Sequence, residues 1–387
     1  MTGVLIHDGR RPGQRLWTVD AVRAGAAGGA VISPFATPRV SAPRHPNASV
    51  VADDVRGAGG EVFFDPMTHA ALLPNADKLD FYNQWELWGP SGRGLDTQQR
   101  RLEHVERVFG VQDIVGAPPL APTQSLTSSV SEDARNVVAT AQLASSIRPD
   151  TVQALAGNRN FWGSGSSLDA FVGALAALRA PTWILTVTNE VVLNGSPELS
   201  DVDAFVGFCR TVHSLSLRSR VIVAHSDYSG LPAIAAGADT VGSGWDRAQR
   251  TFDPLAFHVS SDDAPRIPAS YVTQGGLQAV LRRSVADALE RWDRQIAAGW
   301  RGGPMPPSDA AERLHHLSQL TETVRAINSS TDRSARTARL RLGYEAASDA
   351  FDRILSDVPG QVTRGDKSAW STNPLAVLNA YAAAEGL

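Results

Sequence analysis

A chain of 387 residues has room for one large domain with an appendage or for two ordinary domains, and 43% apolar with 20% charged residues excludes the disordered and fibrous classes. The 36 Lys and Arg against 40 Asp and Glu leave a net charge of -4, too slight to draw the whole molecule to nucleic acid or an anionic membrane. One cysteine, Cys209, excludes an internal disulfide framework and a thiolate metal site; its apolar neighbours at helical spacing mark it as core.

The N-terminal "MTGVLIHDGRRPGQ" has no basic segment followed by a long apolar run. No window reaches the roughly 18 apolar residues of a membrane helix, so the expected location is cytoplasmic, without a membrane partner. From residue 3 to about 250 one pattern returns: a short β-branched run, a polar or Gly/Pro-rich loop, then an amphipathic helical stretch. The expected strands are 3–9, 29–35, 61–66, 113–119, 151–157, 182–189, 220–227 and 239–244. Helices fit between them. "LWTVDAVRAGAA" has Thr18 as expected cap and Trp17 as staple, "TQQRRLEHVERVF" interleaves Glu and Arg, and "SSLDAFVGALAAL" opens on an S-x-x-D capping box.

Eight strands alternating with helices predict an α/β fold, a (β/α)8 TIM barrel, over 1–254. An open doubly wound sheet is the alternative, because periodicity does not show whether strand one meets strand eight. The connection at about 67–112 is too long for an ordinary loop and carries the aromatic-rich "FYNQWELWGPSGRG", so it reads as an insertion. Residues 255–387 read as an α-helical C-terminal subdomain with no convincing strand and with a surface for self-association. In its basic run "TDRSARTARLRLGYE", Arg333, Arg336, Arg339 and Arg341 offer a phosphate-backbone contact, although a solvated helix face explains them better.

Barrel active sites lie where the strands end, so the polar residues closing each strand are the candidates. Asp65, Glu190 and Asp227 are the expected catalytic carboxylates, since transfer at a glycosidic or ribosyl bond needs two such groups with separated pKa values. His69, Asn158, Arg159, Asn189, His225, Ser243, Trp245, Asp246 and Arg247 are expected around the substrate. His7 with Asp8, Asp65 with His69, and His225 with Asp227 could ligate a divalent ion, but none has a diagnostic spacing, and no metal is assigned. The sequence names no cofactor. "NRNFWGSGSSLD" places Gly163, Gly165, Ser166 and Ser167 where a helix start would favour phosphate, with helix capping as the competing explanation.

Three resemblances follow from these residues. "TNE" at 188–190 looks like the Asn-Glu acid/base pair of many barrel glycosidases. "HSDYSGLPAIAAGADTVGSG" resembles the last two βα units of phosphate-binding and flavin-binding barrels. Within 220–252, "GADTVGSGWDRAQRTF" is similar to the final strand of the tRNA-guanine transglycosylase superfamily, which implies base exchange at a ribosyl carbon. Gly242 stands where that family's Asp nucleophile is expected and its Cys/His zinc site is absent, so Asp65 or Asp246 would have to supply the carboxylate. The expectation is a transferase or hydrolase acting on a phosphate- or ribosyl-containing small molecule or nucleotide. The alternatives are a glycoside hydrolase and a non-catalytic barrel serving binding or assembly.

Overall fold

The computed structural model describes residues 3–11, 13–70, 80–188, 199–252 and 270–387. Seven of the expected strands form where the apolar runs lie: β1 (Gly3–His7), β2 (Gly29–Ile32), β3 (Glu61–Phe64), β5 (Gln153–Gly157), β6 (Thr182–Val187), β7 (Arg220–Ala224) and β8 (Thr240–Ser243). The exception is the fourth. "DIV" at 113–115 is instead the last turn of the helix Gln98–Val115, which stops where Gly116 turns left-handed at φ 70°. The fourth strand, β4, is only Ser125–Leu126, preceded by a parallel bridge between Leu120 and Val152.

All eight strands are parallel, in the order β3-β2-β1-β8-β7-β6-β5-β4. Strand one therefore does meet strand eight, with Leu5 opposite Gly242, and the curled sheet of a barrel-like α/β fold results. Its seam lies between β3 and β4. There Gln112, fully buried on the helix Gln98–Val115, replaces the missing ladder: its Nε2 donates to the carbonyls of Phe64 and Leu120 at 3.1 Å each, and its Oε1 accepts from the Leu120 amide at 3.0 Å. Thr68 Oγ1 adds a second stitch, donating to the Thr123 carbonyl at 2.6 Å and accepting from its amide at 2.9 Å. Inside, Leu5, Val31, Phe63, Leu120, Val152, Ile184 and Ile222 form one apolar cluster that spans the seam. At the opposite end of the strands, Arg220 of β7 holds Glu61 of β3 through two bonds of 2.6 Å.

Two expected helix starts are corrected. The first helix begins at Gln14 rather than at Thr18, which is buried inside it. The helix Ser166–Ala176 has Gly165, at φ 60°, as its N-cap without a side-chain bond, so the S-x-x-D box does not form. The C-terminal region contains an antiparallel hairpin, β9 (Tyr271–Gln274) with β10 (Ala279–Arg282), absent from the helical expectation. Its long helices cover the barrel. Asp309–Asn328 lies against β1, β8 and the helices Gln14–Arg23 and Leu231–Ala236, the place of an eighth barrel helix, while Arg333–Asp357 and Asn373–Glu385 pack outside Leu231–Ala236 and Val202–Leu215. Among the described residues no helix is long and apolar enough to cross a membrane.

Candidate functional site

The C-terminal ends of β1, β2, β3, β7 and β8 surround a cavity of about 320 Å³. Its apolar lining comes from Val31, Phe35, Ala36 and Met67, and its polar lining from His7, Asp8, Asp65, His225, Asp246 and Gln249. Residues of the connection after β3 brace the apolar lining. Tyr82 stacks on Phe35 with centroids 4.3 Å apart, and Trp85 Nε1 donates to the Thr37 carbonyl at 3.0 Å. Arg10 lines the rim, its guanidinium 4.2 Å above the Phe81 ring.

His7 leaves β1 pointing inward, and its ring stacks on that of His225 at 3.6 Å with 16° between planes. The His225 amide donates to His7 Nε2 at 3.0 Å, so a neutral His7 carries its proton on Nδ1. His225 Nδ1 meets the Gln249 carbonyl at 3.2 Å; since a carbonyl only accepts, Nδ1 is the donor. Burial, then repulsion from His225 and His69, pushes the His7 pKa well below its ordinary value, so the ring is neutral at physiological pH.

This stack explains the glycine inside β8. A Cβ on Gly242 would stand 2.2 Å from His7 Nε2 and 2.7 Å from the His225 amide nitrogen, so a bare backbone is required for the two rings to meet. His225 and Asp227 after β7, and Met67 after β3, all sit at φ between 47° and 50°. Such left-handed conformations cost a side-chain-bearing residue about 1–2 kcal/mol each and concentrate at functional sites.

Three carboxyls line this cavity, Asp8, Asp65 and Asp246, and the first two have raised pKa values. Asp8 accepts from the Gly9 amide at 2.7 Å and from Thr37 Oγ1, yet burial raises its pKa to about 7. Asp65 Oδ1 accepts from the Met67 amide at 2.7 Å; burial raises its pKa too, against the Met67 bond and the proximity of His225. A half-buried and a buried carboxyl with raised pKa values beside the neutral His7 ring suit proton transfer near neutral pH.

The residues expected from the sequence are dispersed. Asp65, His225 and Asp246 line the cavity, Asp246 paired with Arg11 at 2.5 Å. Asp227 lines a separate cavity of about 30 Å³, where Ser243 Oγ donates to it at 2.7 Å and His316 Nε2 lies at 2.9 Å. Burial opposes its ionisation, but His316, Arg250 and Ser243 outweigh burial and hold the carboxyl below its usual range. Asn158 caps the helix Arg159–Trp162 by accepting from the Phe161 amide at 3.1 Å, and Arg159 is the half-buried first residue of that helix. Trp245 packs edge-on to Trp17 at 5.2 Å beneath the Arg313 guanidinium. His69 is buried against Phe252 at 4.9 Å, burial lowering its pKa to about 4. Asn189 and Glu190 lie outside the described residues, as does the side chain of Arg247.

Ser167 and Arg333 make contacts within the chain. Ser167 Oγ donates to the Ser164 carbonyl and pairs with Ser129 Oγ. Arg333 donates to the carbonyls of Ala236 and His213 and to Ser216 Oγ, tying helix ends together. Among the described residues no group of three or more His, Cys, Asp or Glu is arranged to hold a metal ion. Asp8 and His7 were legible as strand-end residues but not as the centre of the cavity. The signal that would have found them is Gly242, which lies beside His7 in the barrel interior.

No protein-family model and no curated protein matches the chain. Among solved structures it is similar to a probable tagatose 6 phosphate kinase from Sinorhizobium meliloti, with 11% identity over 100% of this chain and 98% of that one at a TM-score of 0.31. It is also similar to Amy13B of Eubacterium rectale, with 7% identity over 83% and 79% of the two chains at a TM-score of 0.38. Likenesses this remote carry no argument about activity, and the barrel-like fold rests on the strand order itself.

Proposed function

We propose that the chain is a barrel enzyme that cleaves or transfers at a glycosidic or ribosyl bond of a small molecule, with Asp8 and Asp65 as its working carboxyls. The carrying observation is that two carboxyls with raised pKa values, the half-buried Asp8 and the buried Asp65, line one cavity of about 320 Å³. That volume is at the lower end of small-molecule sites, roughly 300–1,000 Å³, and suits one sugar ring with a small substituent. Asp8, with a pKa of about 7, is substantially protonated at neutral pH and gives its proton to the leaving atom. Asp65, whose Oδ1 is tied to the Met67 amide, presents Oδ2 as base or nucleophile at the sugar carbon. Phe35 offers a face for the apolar side of a sugar, and Arg10 at the rim supplies the cation a phosphate substituent would meet.

The test is turnover of a panel of 4-nitrophenyl glycosides, nucleosides and ribose phosphates by the full chain, with Asp8→Asn and Asp65→Asn alongside. The expected result is cleavage of at least one class, with kcat/KM lowered about 10²–10⁴-fold in each folded variant. No cleavage across the panel, or full activity in both variants, overturns the reading.

A further inference from the structure

We propose that His316, on the C-terminal helix Asp309–Asn328, is a positioning residue for the barrel site: it clamps Asp227 and so holds the turn that lays His225 against His7. The inference rests on the functional reading above only in taking His225 as part of the working site.

The clamp is a buried chain of polar contacts leading from the helical region into the strand ends. Glu312 Oε1 accepts from both the amide and the hydroxyl of Thr273, at 2.7 and 2.8 Å. Thr273 Oγ1 lies 2.8 Å from His316 Nδ1, and His316 Nε2 lies 2.9 Å from Asp227 Oδ2. Since an ionised carboxylate only accepts, Nε2 is the donor to Asp227. His316 is 1% exposed, so water does not stand in for either partner. The other groups facing the ring are Ser243 Oγ at 3.4 Å, the Tyr228 ring at 5.7 Å, and Arg250, which approaches Asp227 at 3.6 Å.

Asp227 needs such anchoring. It and His225, two residues apart, both hold left-handed backbone at φ 50° and 47°, with Ser226 between them bonded through its amide to the Gly242 carbonyl at 3.0 Å. Asp227 Oδ1 accepts from the Tyr228 amide at 2.7 Å, a bond within the turn itself. Three side chains from elsewhere meet Asp227 at Oδ2: Ser243 from β8, Arg250, and His316. Of these only His316 belongs to the long helix packed along β1, so it ties the turn carrying His225 to the strand carrying His7. A ring held in register at 3.6 Å by a strained turn is displaced when the turn relaxes.

The experiment compares wild type, His316→Phe and His316→Gln as full chains, using imidazole nitrogen NMR of His225 and His7 together with kcat and KM on any substrate found. In His316→Phe the signal of a single His225 tautomer, protonated at Nδ1, gives way to shifted or averaged resonances. The same variant lowers kcat about 10–100-fold with little change in KM, as misplaced catalytic geometry does. His316→Gln, whose amide can donate to Asp227, recovers a wild-type-like His225 signal. If His316→Phe fails to fold, Thr273→Val provides the milder perturbation: it removes the outer partner of His316 and shifts the His225 signal in the same direction. Wild-type His225 resonances in a folded His316→Phe or in Thr273→Val overturn the proposal. The NMR readout needs no substrate, so its outcome stands apart from that of the glycosidic assay.

Discussion

His7 and His225 stack at 3.6 Å with the backbone amide of one donating to the ring nitrogen of the other, although 218 residues separate them. The contact joins β1 to β7 across β8, and β8 permits it by placing Gly242 between them. Gly242→Ala therefore inserts a methyl into two atoms that cannot both retreat, one of them backbone. A loss of about 1–3 kcal/mol, the usual range for overpacking, is expected in urea unfolding, together with a change in the His7 and His225 ring resonances. Wild-type stability in Gly242→Ala would refute the account of that glycine.

Asp8 links function to stability in opposite senses. Its folded pKa of about 7 lies above the ordinary carboxyl value of 3.8, so the unfolded chain ionises first. The folded state is then relatively disfavoured as pH rises from about 4 to 7, and the penalty persists above 7. Asp8→Asn removes the charge, so its Tm relative to wild type should be higher at pH 8 than at pH 4.5, while activity is lost. A Tm difference independent of pH would show that Asp8 is not the group strained by burial.

The buried histidines act at the other end of the scale. Burial lowers His69 and His104 to about 4, and His7 is also lowered. Unfolded histidine, near 6.5, takes up protons these rings resist, so stability is complete above about 6.5 and falls as pH drops toward 4, by up to about 1.4 kcal/mol per unit and residue. Because Asp8 acts in the opposite sense over the same range, the decline is read as a difference between wild type and a histidine variant in thermal unfolding from pH 7 to 4.5. Replacing His104, whose ring stacks on Trp88 at 3.7 Å and whose Nδ1 meets the Leu87 carbonyl at 2.8 Å, by Gln should make it shallower.

The seam is the barrel's structural weak point. Gln112→Leu leaves the carbonyls of Phe64 and Leu120 and the amide of Leu120 without the partner they now share. At about 1–3 kcal/mol for each buried group left unpaired, a loss of about 3 kcal/mol or more is expected in denaturant unfolding. Hydrogen exchange should rise first at residues 120–126. A neutral Gln112→Leu would mean that the β3–β4 edge is held by its apolar lining alone.

Local pattern was enough for seven strands and for the alternation that makes them parallel, because periodicity and β-branched runs are properties of neighbouring residues. It also placed Asp65, His225 and Asp246 at strand ends. It misread "DIV" at 113–115, since a short apolar run ending a long helix has the composition of a buried strand. It grouped Asp227 with Asp65, because sequence assigns a residue to a strand end but not to a side of that end. Only the tertiary structure decided that β1 meets β8, that Gln112 closes the gap from a helix, and that His316 reaches back to Asp227 from 89 residues away. Those are contacts between distant segments, set by how twisted strands and their helices pack together, and neither partner's local sequence carries the address of the other.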